Sequence, residues 1–518
     1  MGIAIVMAAS MVPVSLLVNS IVPHPYMGKI QDEIFHIPQA QEYCQGNFRK
    51  WDPMITTFPG LYFVSLAYTG VFLLGAKILG LSSSLLDLCT PAFLRSINVV
   101  FSLLCYLLFV RIMRYLEPDK SLKRVFAKAT LLAFYPLHWF FAFLYYTDVG
   151  STTAVMAMHL ACLQQAHWIS ALLGAVAILF RQTNVIWVIF VTCTGLLEFL
   201  HGPIRVKPRE TEELKADASS DKSQFGFSME NKGGSQDMKL RRRMQSSVQA
   251  DENLEMFPCK SPVVDNAPGI GSEIWSFAKQ AWLRRWEIFK SFGPLICIII
   301  LFFLFVCYNG SIVVGAKDAH KVSPHFAQLL YFGLISAAAM APVHFQPSNF
   351  GILIQEFLRP QFWVLGGIGS GAAFVFVHYF SLAHPYLLAD NRHYTFYLWK
   401  DVIQHNQSAK YCLIPLYVYS WWSILHSLGR TQGRLWILVF CLGIMGVLVP
   451  APLLEFRYFT IPFFLIALHT KIPEEIELGT SFCMTILYLV LNAFTMYLFL
   501  FRPFHWANDP GGIQRFMW

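Results

Sequence analysis

The chain is built from a succession of apolar runs, each about as long as a bilayer is thick, and few folds can accommodate that pattern. A spanning helix needs about 20 mostly apolar residues. Runs of this character occur at residues 3–22, 94–113, 129–145, 151–166, 168–181, 184–200, 291–308, 326–342, 361–380, 411–426, 434–450, 457–470 and 481–501. In lipid every backbone polar group must be satisfied within the protein, so such runs become helices. The expectation is an all-α polytopic membrane protein with about 12–14 transmembrane helices. Only 14% of the residues are charged and mean hydropathy is +0.48, whereas a soluble domain carries about 25% charged residues. The first run has no basic residue ahead of it and is read as a retained helix rather than a cleaved signal peptide.

The formal net charge is +8, yet nucleic acid is not an expected partner. The basic residues sit in short groups at the ends of apolar runs and in one polar insert, which is how loop charges orient a membrane protein. The run 61–81 decides the topology. If it spans and the N-terminus is cytosolic, the loop with Arg111, Arg114, Lys120, Lys123, Arg124 and Lys128 lies in the lumen, against the positive-inside rule. If it lies along the lumenal surface, that loop, the insert 201–285 and the loop with Arg430 and Arg434 are all cytosolic. The second choice is adopted. It puts residues 23–93, 145–150, 309–325, 382–410 and 451–457 on the lumenal side, together with the Arg181 end and the sequons at Asn309 and Asn406. The chain then divides into an N-terminal module (1–200) with a long first lumenal loop (23–93), a polar insert (201–285) and a C-terminal module (286–518) with lumenal loop 382–410. The insert has no helical or strand period and reads as disordered. Eleven cysteines show no metal-ligand spacing. Cys44 and Cys89 share the first lumenal loop, and the sequence leaves their pairing open.

Polar residues cluster on the lumenal side. Asp32, Glu33 and His36 lie close to Asp52, and the spacing of Asp32 and His36 puts them on one face of a short helix. Asp390, Arg392, His393 and Tyr394 form a second group. Glu455 and Arg457 form a third, where the two charges can simply compensate each other. Arg181 stands at a helix end, where snorkelling to the interface competes with function. Tyr145-Tyr146-Thr147-Asp148 is a weaker candidate. Solvated loops and interfacial belts explain some of these residues, Lys400 and Trp399 among them. Carboxylates, planar cation forks and aromatics at one membrane face suit a lipid phosphate, with Arg on the phosphate and a carboxylate deprotonating an acceptor hydroxyl. No nucleophile motif, metal-ligand spacing or glycine-rich phosphate loop is present.

These stretches resemble the endoplasmic-reticulum dolichyl-phosphate-glucose α-1,2-glucosyltransferase family. The resemblance rests on Pro25-Tyr26-Met27, residues 32–44 (DEIFHIPQAQEYC), 51–62 (WDPMITTFPGLY), 180–184 (FRQTN), 387–399 (LLADNRHYTFYLW), 454–459 (LEFRYF) and 514–518 (QRFMW). It covers the whole chain except the insert. It implies a C-type glycosyltransferase fold, with surface helices in the first lumenal loop. It also implies an inverting transfer of glucose from dolichyl-phosphate glucose to a dolichyl-diphosphate oligosaccharide already bearing two glucoses. No metal or other cofactor is implied. Carried over, Asp32 is the first choice for the base and Glu33 the second. His36 and Asp52 would position base or acceptor. Arg392, His393 and Arg457, with Arg181, are candidates for the donor phosphate, beside Asp390, Tyr394 and Glu455. In one departure, the family pattern runs Pro-Tyr-Met directly into Asp-Glu, and here Gly28-Lys29-Ile30-Gln31 intervenes. The alternative from another class is a transporter or ion-channel accessory protein, for which the inverted repeats and broken helices of transporters are wanting.

Overall fold

A computed structural model describes residues 2–24, 32–80, 84–202, 269–317, 322–405, 408–507 and 509–518. The Gly28–Gln31 departure, most of the polar insert and the Asn406 sequon lie outside them. Each predicted apolar run overlaps helix. Residues 94–113 fall in the helix Pro91–Leu116, 151–166 overlap Thr147–Leu163, and 481–501 lie in Glu474–Phe501. Thr90 shows why one of these starts where it does: its hydroxyl accepts from the Phe93 N–H and Pro91 occupies the first turn. Run 129–145 is not one helix. Leu122–Ala133 stops before Pro136, which opens the short helix Pro136–Phe141, because proline cannot continue the hydrogen-bond ladder. Among the described residues six helices are long and apolar enough to cross a membrane, and several apolar helices are shorter.

Two expectations are amended. The all-α reading gains a small antiparallel hairpin, Phe504–Trp506 against Asp509–Gln514. The end of the insert is ordered: Ile270–Leu283 is a helix, with Phe277 stacked on His201 and Glu273 facing Arg434. Its apolar residues were too few and too interrupted by Ser, Glu and Lys to register as a span.

Charged contacts divide the bundle into two faces. On one, Lys120 pairs with Glu477 (2.6 Å) and Glu117 (2.9 Å), Arg124 meets Glu474, and Lys128 donates to the Thr470 carbonyl. The loop with Arg430 and the end of the insert with Arg284 lie on this basic face too, since Thr431 donates to the His469 carbonyl and Arg284 to the Phe199 carbonyl. On the other face Glu33, Tyr145, Arg181, Val314 and Arg457 are joined by the contacts described below.

The helix Gly60–Ile78 belongs to this second face. It is long enough to span, and its bundle contacts fall at the end of His167–Phe180, at Tyr145 and at the start of Pro91–Leu116. Gly60 lies against Leu179, Ser65 hydrogen-bonds Tyr145, and Tyr68 meets Ser96 and Phe93. A Cβ on Gly60 would stand 2.4 Å from the Leu179 carbonyl oxygen, so only glycine permits that approach.

Candidate active site

The site starts from the surface helix Glu33–Cys44. Asp32 stands at its N-cap, where its main-chain oxygen accepts from the Phe35 and His36 N–H groups. Its side chain does not cap the helix, so the carboxylate is available elsewhere. The far end of the helix is pinned by a Cys44–Cys89 disulfide (Cα–Cα 6.7 Å) and by Gln41 donating to the Cys89 carbonyl.

The next residue, Glu33, is wholly buried. Its two oxygens accept from Arg95 at 2.8 and 2.6 Å, and one also accepts from the Tyr145 N–H at 2.8 Å. Arg95 completes its fork on the Val22 carbonyl and Asn19. A carboxylate so enclosed cannot reach an acceptor hydroxyl, and Glu33 as an alternative base gives way to a positioning role. It fastens the surface helix to the bundle. Breaking a buried pair leaves an uncompensated charge and costs about 3–5 kcal/mol. Glu33→Ala is therefore expected to lower thermal stability in detergent markedly, read by an unfolding scan, with the turnover of the surviving folded fraction the lesser effect.

Asp32 faces the other way. One of its oxygens lies 2.8 Å from Arg457 Nη1. Arg457 also donates to Glu455 (2.7 and 3.0 Å) and lies 3.7 Å from Asp148. The same Asp148 oxygen accepts from Arg181 at 2.9 Å, and Arg181 Nε donates to the Thr147 hydroxyl. The guanidinium of Arg457 rests over the rings of Phe141 and Tyr146. Three carboxylates thus surround two arginines. Asp32 is the most open of them, its side chain 35% exposed against 12% for Asp148 and 18% for Glu455. Burial alone would raise the Asp32 pKa, but the charges of Arg457 and His36 and the Arg457 hydrogen bond outweigh it, and the carboxyl titrates below its ordinary value. Burial holds His36 below the usual histidine value, partly opposed by Asp32. His36 Nδ1 lies 2.6 Å from the Tyr62 hydroxyl, so the imidazole braces the helix from beneath.

A cleft of ≈ 440 Å³, counting the solvent at its mouth, opens beside Arg457. Glu455 and Arg457 line it together with Asp390, His393, Leu454 and Trp518. His393 Nδ1 lies 2.7 Å from the main-chain oxygen of Trp518, and its other ring nitrogen lies 3.6 Å from Asp390. Burial lowers the His393 pKa, with Asp390 and Glu455 opposing. Arg392 is turned away from the cleft. Its fork lies on Asp390 (2.7 and 2.8 Å) and Gln514, over the Trp506 ring. Tyr394 is turned away too: its hydroxyl meets Thr495 and its ring packs on Phe516 and Trp518. Both hold the segment 514–518 in place. Asp52 also stands apart. It accepts from the Met54 N–H, while its own N–H donates to Gln39, so it shapes a turn. Thr56 carries that turn's contacts onward, its carbonyl accepting from Gln182 and from the Val314 N–H. Close by, a Cβ on Gly315 would stand 2.4 Å from the Pro53 carbonyl oxygen.

Asp148 was undervalued in the sequence because it is a single acid among aromatics. Arg95 was overlooked, although an arginine inside an apolar run is itself a signal. No spacing joins Asp32 to Arg457, 425 residues apart.

The sequence profile of the DIE2/ALG10 family matches residues 22–468. A relative from Arabidopsis thaliana named Dol-P-Glc:Glc(2)Man(9)GlcNAc(2)-PP-Dol alpha-1,2-glucosyltransferase is 43% identical over 530 aligned positions, covering 100% of this chain and 99% of the relative. Relatives of the same name from Rattus norvegicus and Drosophila melanogaster are 36% and 30% identical, covering 95% and 94% of this chain and 93% of each relative. No solved structure matches the chain.

Proposed function

The chain belongs to the DIE2/ALG10 family, and from that premise we propose how its site performs glucosyl transfer. It is a dolichyl-phosphate-glucose-dependent glucosyltransferase of the membrane. Its acceptor is a dolichyl-diphosphate oligosaccharide that already carries two glucoses, and it forms an α-1,2 linkage. The observation that carries the catalytic reading is the Asp32–Arg457 contact. It sets an accessible carboxylate against an arginine that lines a cleft with both charged and apolar walls.

The acceptor's terminal glucose offers its 2-hydroxyl. Asp32 takes the proton as that oxygen attacks C1 of the donor from the side opposite the phosphate. The C1–O bond to phosphate breaks, and its electron pair leaves on the phosphate. A diester monoanion becomes a monoester dianion, and the charge that develops falls to Arg457, with Arg181 behind Asp148. One displacement inverts the β donor to an α product.

Arg457 is occupied before the donor arrives. To receive phosphate it must release a carboxylate, and Asp32 is held by one close contact whereas Glu455 is held by two. Donor binding therefore frees the base as it fills the arginine. We propose that the two guanidinium groups supply the positive charge and that no metal ion is required.

We assign the site face to the lumen of the endoplasmic reticulum. The basic residues gathered on the opposite face support this through the positive-inside rule. The transporter and accessory-subunit alternative is set aside, because the relatives described above are named as transferases. Anomeric analysis of the product tests the reading: an α linkage to O2 is expected, and a β linkage would overturn single displacement at Asp32.

A further inference from the structure

The stretch 514–518 lies beyond the matched family profile, which ends at residue 468, and the transfer chemistry assigns it no part. In the structure it is fastened beside the cleft from several sides, and its last residue lines it. Arg392 reaches Gln514 at 3.1 Å, the Met517 N–H donates to the Arg392 carbonyl at 2.8 Å, and Arg515 donates to the carbonyls of Phe499 and Leu500. His393 and Met517 form a parallel bridge. Together these contacts bring Trp518 to the cleft wall beside Arg457, Glu455, Asp390 and His393, with its indole 4.5 Å from the Tyr394 ring.

The chemistry of that wall suits a hexose. Carboxylates accept from sugar hydroxyls, and an arginine fork takes the phosphate. A pyranose with equatorial hydroxyls also has a flat face of C–H groups, which an aromatic ring covers well. An isoprenoid chain, by contrast, would gain nothing from Asp390 or Glu455 and would leave them desolvated.

Resting on the glucosyl-transfer reading above, we propose that Trp518 is a specificity-determining residue: its indole is the platform for the donor's glucosyl ring, and its main-chain oxygen positions His393. An axial 2-hydroxyl, as in mannose, disturbs the flat face, so the platform favours glucose.

The test uses the full chain, purified in detergent, with Trp518→Phe and Trp518→Leu. Phenylalanine keeps an aromatic face; leucine keeps apolar packing against Tyr394 without one. Thermal scans of both variants check folding. Affinities are measured for dolichyl phosphate and for dolichyl-phosphate glucose, and KM and kcat for the same donor. Removing an aromatic platform from beneath a bound ring is expected to cost roughly three- to tenfold in affinity. Trp518→Leu should lose that factor for the glucosylated donor and in KM, keep its affinity for dolichyl phosphate, and discriminate less against dolichyl-phosphate mannose. Trp518→Phe should stay near wild type. Equal loss for dolichyl phosphate and its glucoside would make the residue merely structural and overturn the proposal, as would full donor affinity in both variants. If the unaltered protein transfers no glucose at all, the transfer reading fails instead, a result distinct from any outcome of the binding comparison.

Discussion

Asp32→Asn is expected to reduce glucosyl transfer about 10²–10⁴-fold, the usual contribution of a positioned general base, while the protein folds and still binds donor. The substitution keeps the shape of the side chain and removes its ability to take a proton. Donor affinity gives a sharper criterion than rate alone. In the unliganded site the Asp32 carboxylate competes with phosphate for Arg457. Removing its charge should leave affinity for dolichyl-phosphate glucose unchanged or improved. A carboxylate that merely helped to hold the donor would show the opposite. The pH profile carries the same logic. In the free enzyme Arg457 and His36 hold the Asp32 carboxyl below its ordinary value, so it stays ionised through neutral pH. The acid limb of kcat/KM, which reports the free enzyme, should fall below the usual Asp range, with activity lost as pH drops through the depressed pKa. Once phosphate has taken Arg457, Asp32 loses its main stabilising charge. The acid limb of kcat, which reports the complex, should therefore lie at higher pH. Coincident limbs would show that Arg457 keeps its grip on Asp32 throughout.

Replacing Arg457 should be as damaging, with a different signature. Arg457→Ala leaves Asp32, Asp148 and Glu455 facing one another with only Arg181 to balance them. Loss of the group that meets the developing phosphate charge is expected to cost about 10²–10³-fold in kcat, with a higher KM for donor and a lower melting temperature. Arg457→Lys keeps a positive charge but loses the planar fork that now spans Glu455 and Asp32. A lysine supplies a point charge in place of two parallel donors, so this variant should recover stability further than it recovers rate. Equal recovery of both would make Arg457 a structural counterion and remove it from the chemistry.

Much of the fold was legible because the bilayer imposes a length and a composition that a single sequence cannot disguise. Run 184–200 became the helix Asn184–His201 almost unchanged, and run 291–308 lies within Arg285–Asn309. Charge balance in the loops was equally informative: Lys120, Arg124 and Arg434 do share one face with Arg284. Where the sequence misled, the cause was local. Pro136 divided one apolar run, and the helix Ile270–Leu283 was too polar on one side to register.

The site was legible as composition but not as pairing. That Asp32, Arg181, Asp390, Glu455 and Arg457 are candidates follows from the rarity of charge in so apolar a chain. Which of them touch substrate does not, because side-chain direction is set by packing at long sequence separation. Glu33 and Asp32 are adjacent in sequence and face opposite environments: one is locked to Arg95, the other opens toward Arg457. Arg392 has the right chemistry for phosphate, yet its fork is taken up by Asp390 and Gln514. The importance of Asp148 comes from its place between two arginines, and no linear pattern records that.

Transfer by the purified protein, offered labelled dolichyl-phosphate glucose and a dolichyl-diphosphate oligosaccharide bearing two glucoses, is the most direct test. Controls are a one-glucose acceptor, dolichyl-phosphate mannose and a nucleotide-glucose donor. Label is predicted to move only in the first pairing, and Asp32→Asn is predicted to slow that movement by the factor given above. Label moved equally well from the nucleotide donor, or undiminished transfer by a folded Asp32→Asn protein, would contradict a lipid-phosphate donor held at Arg457 with Asp32 as the base.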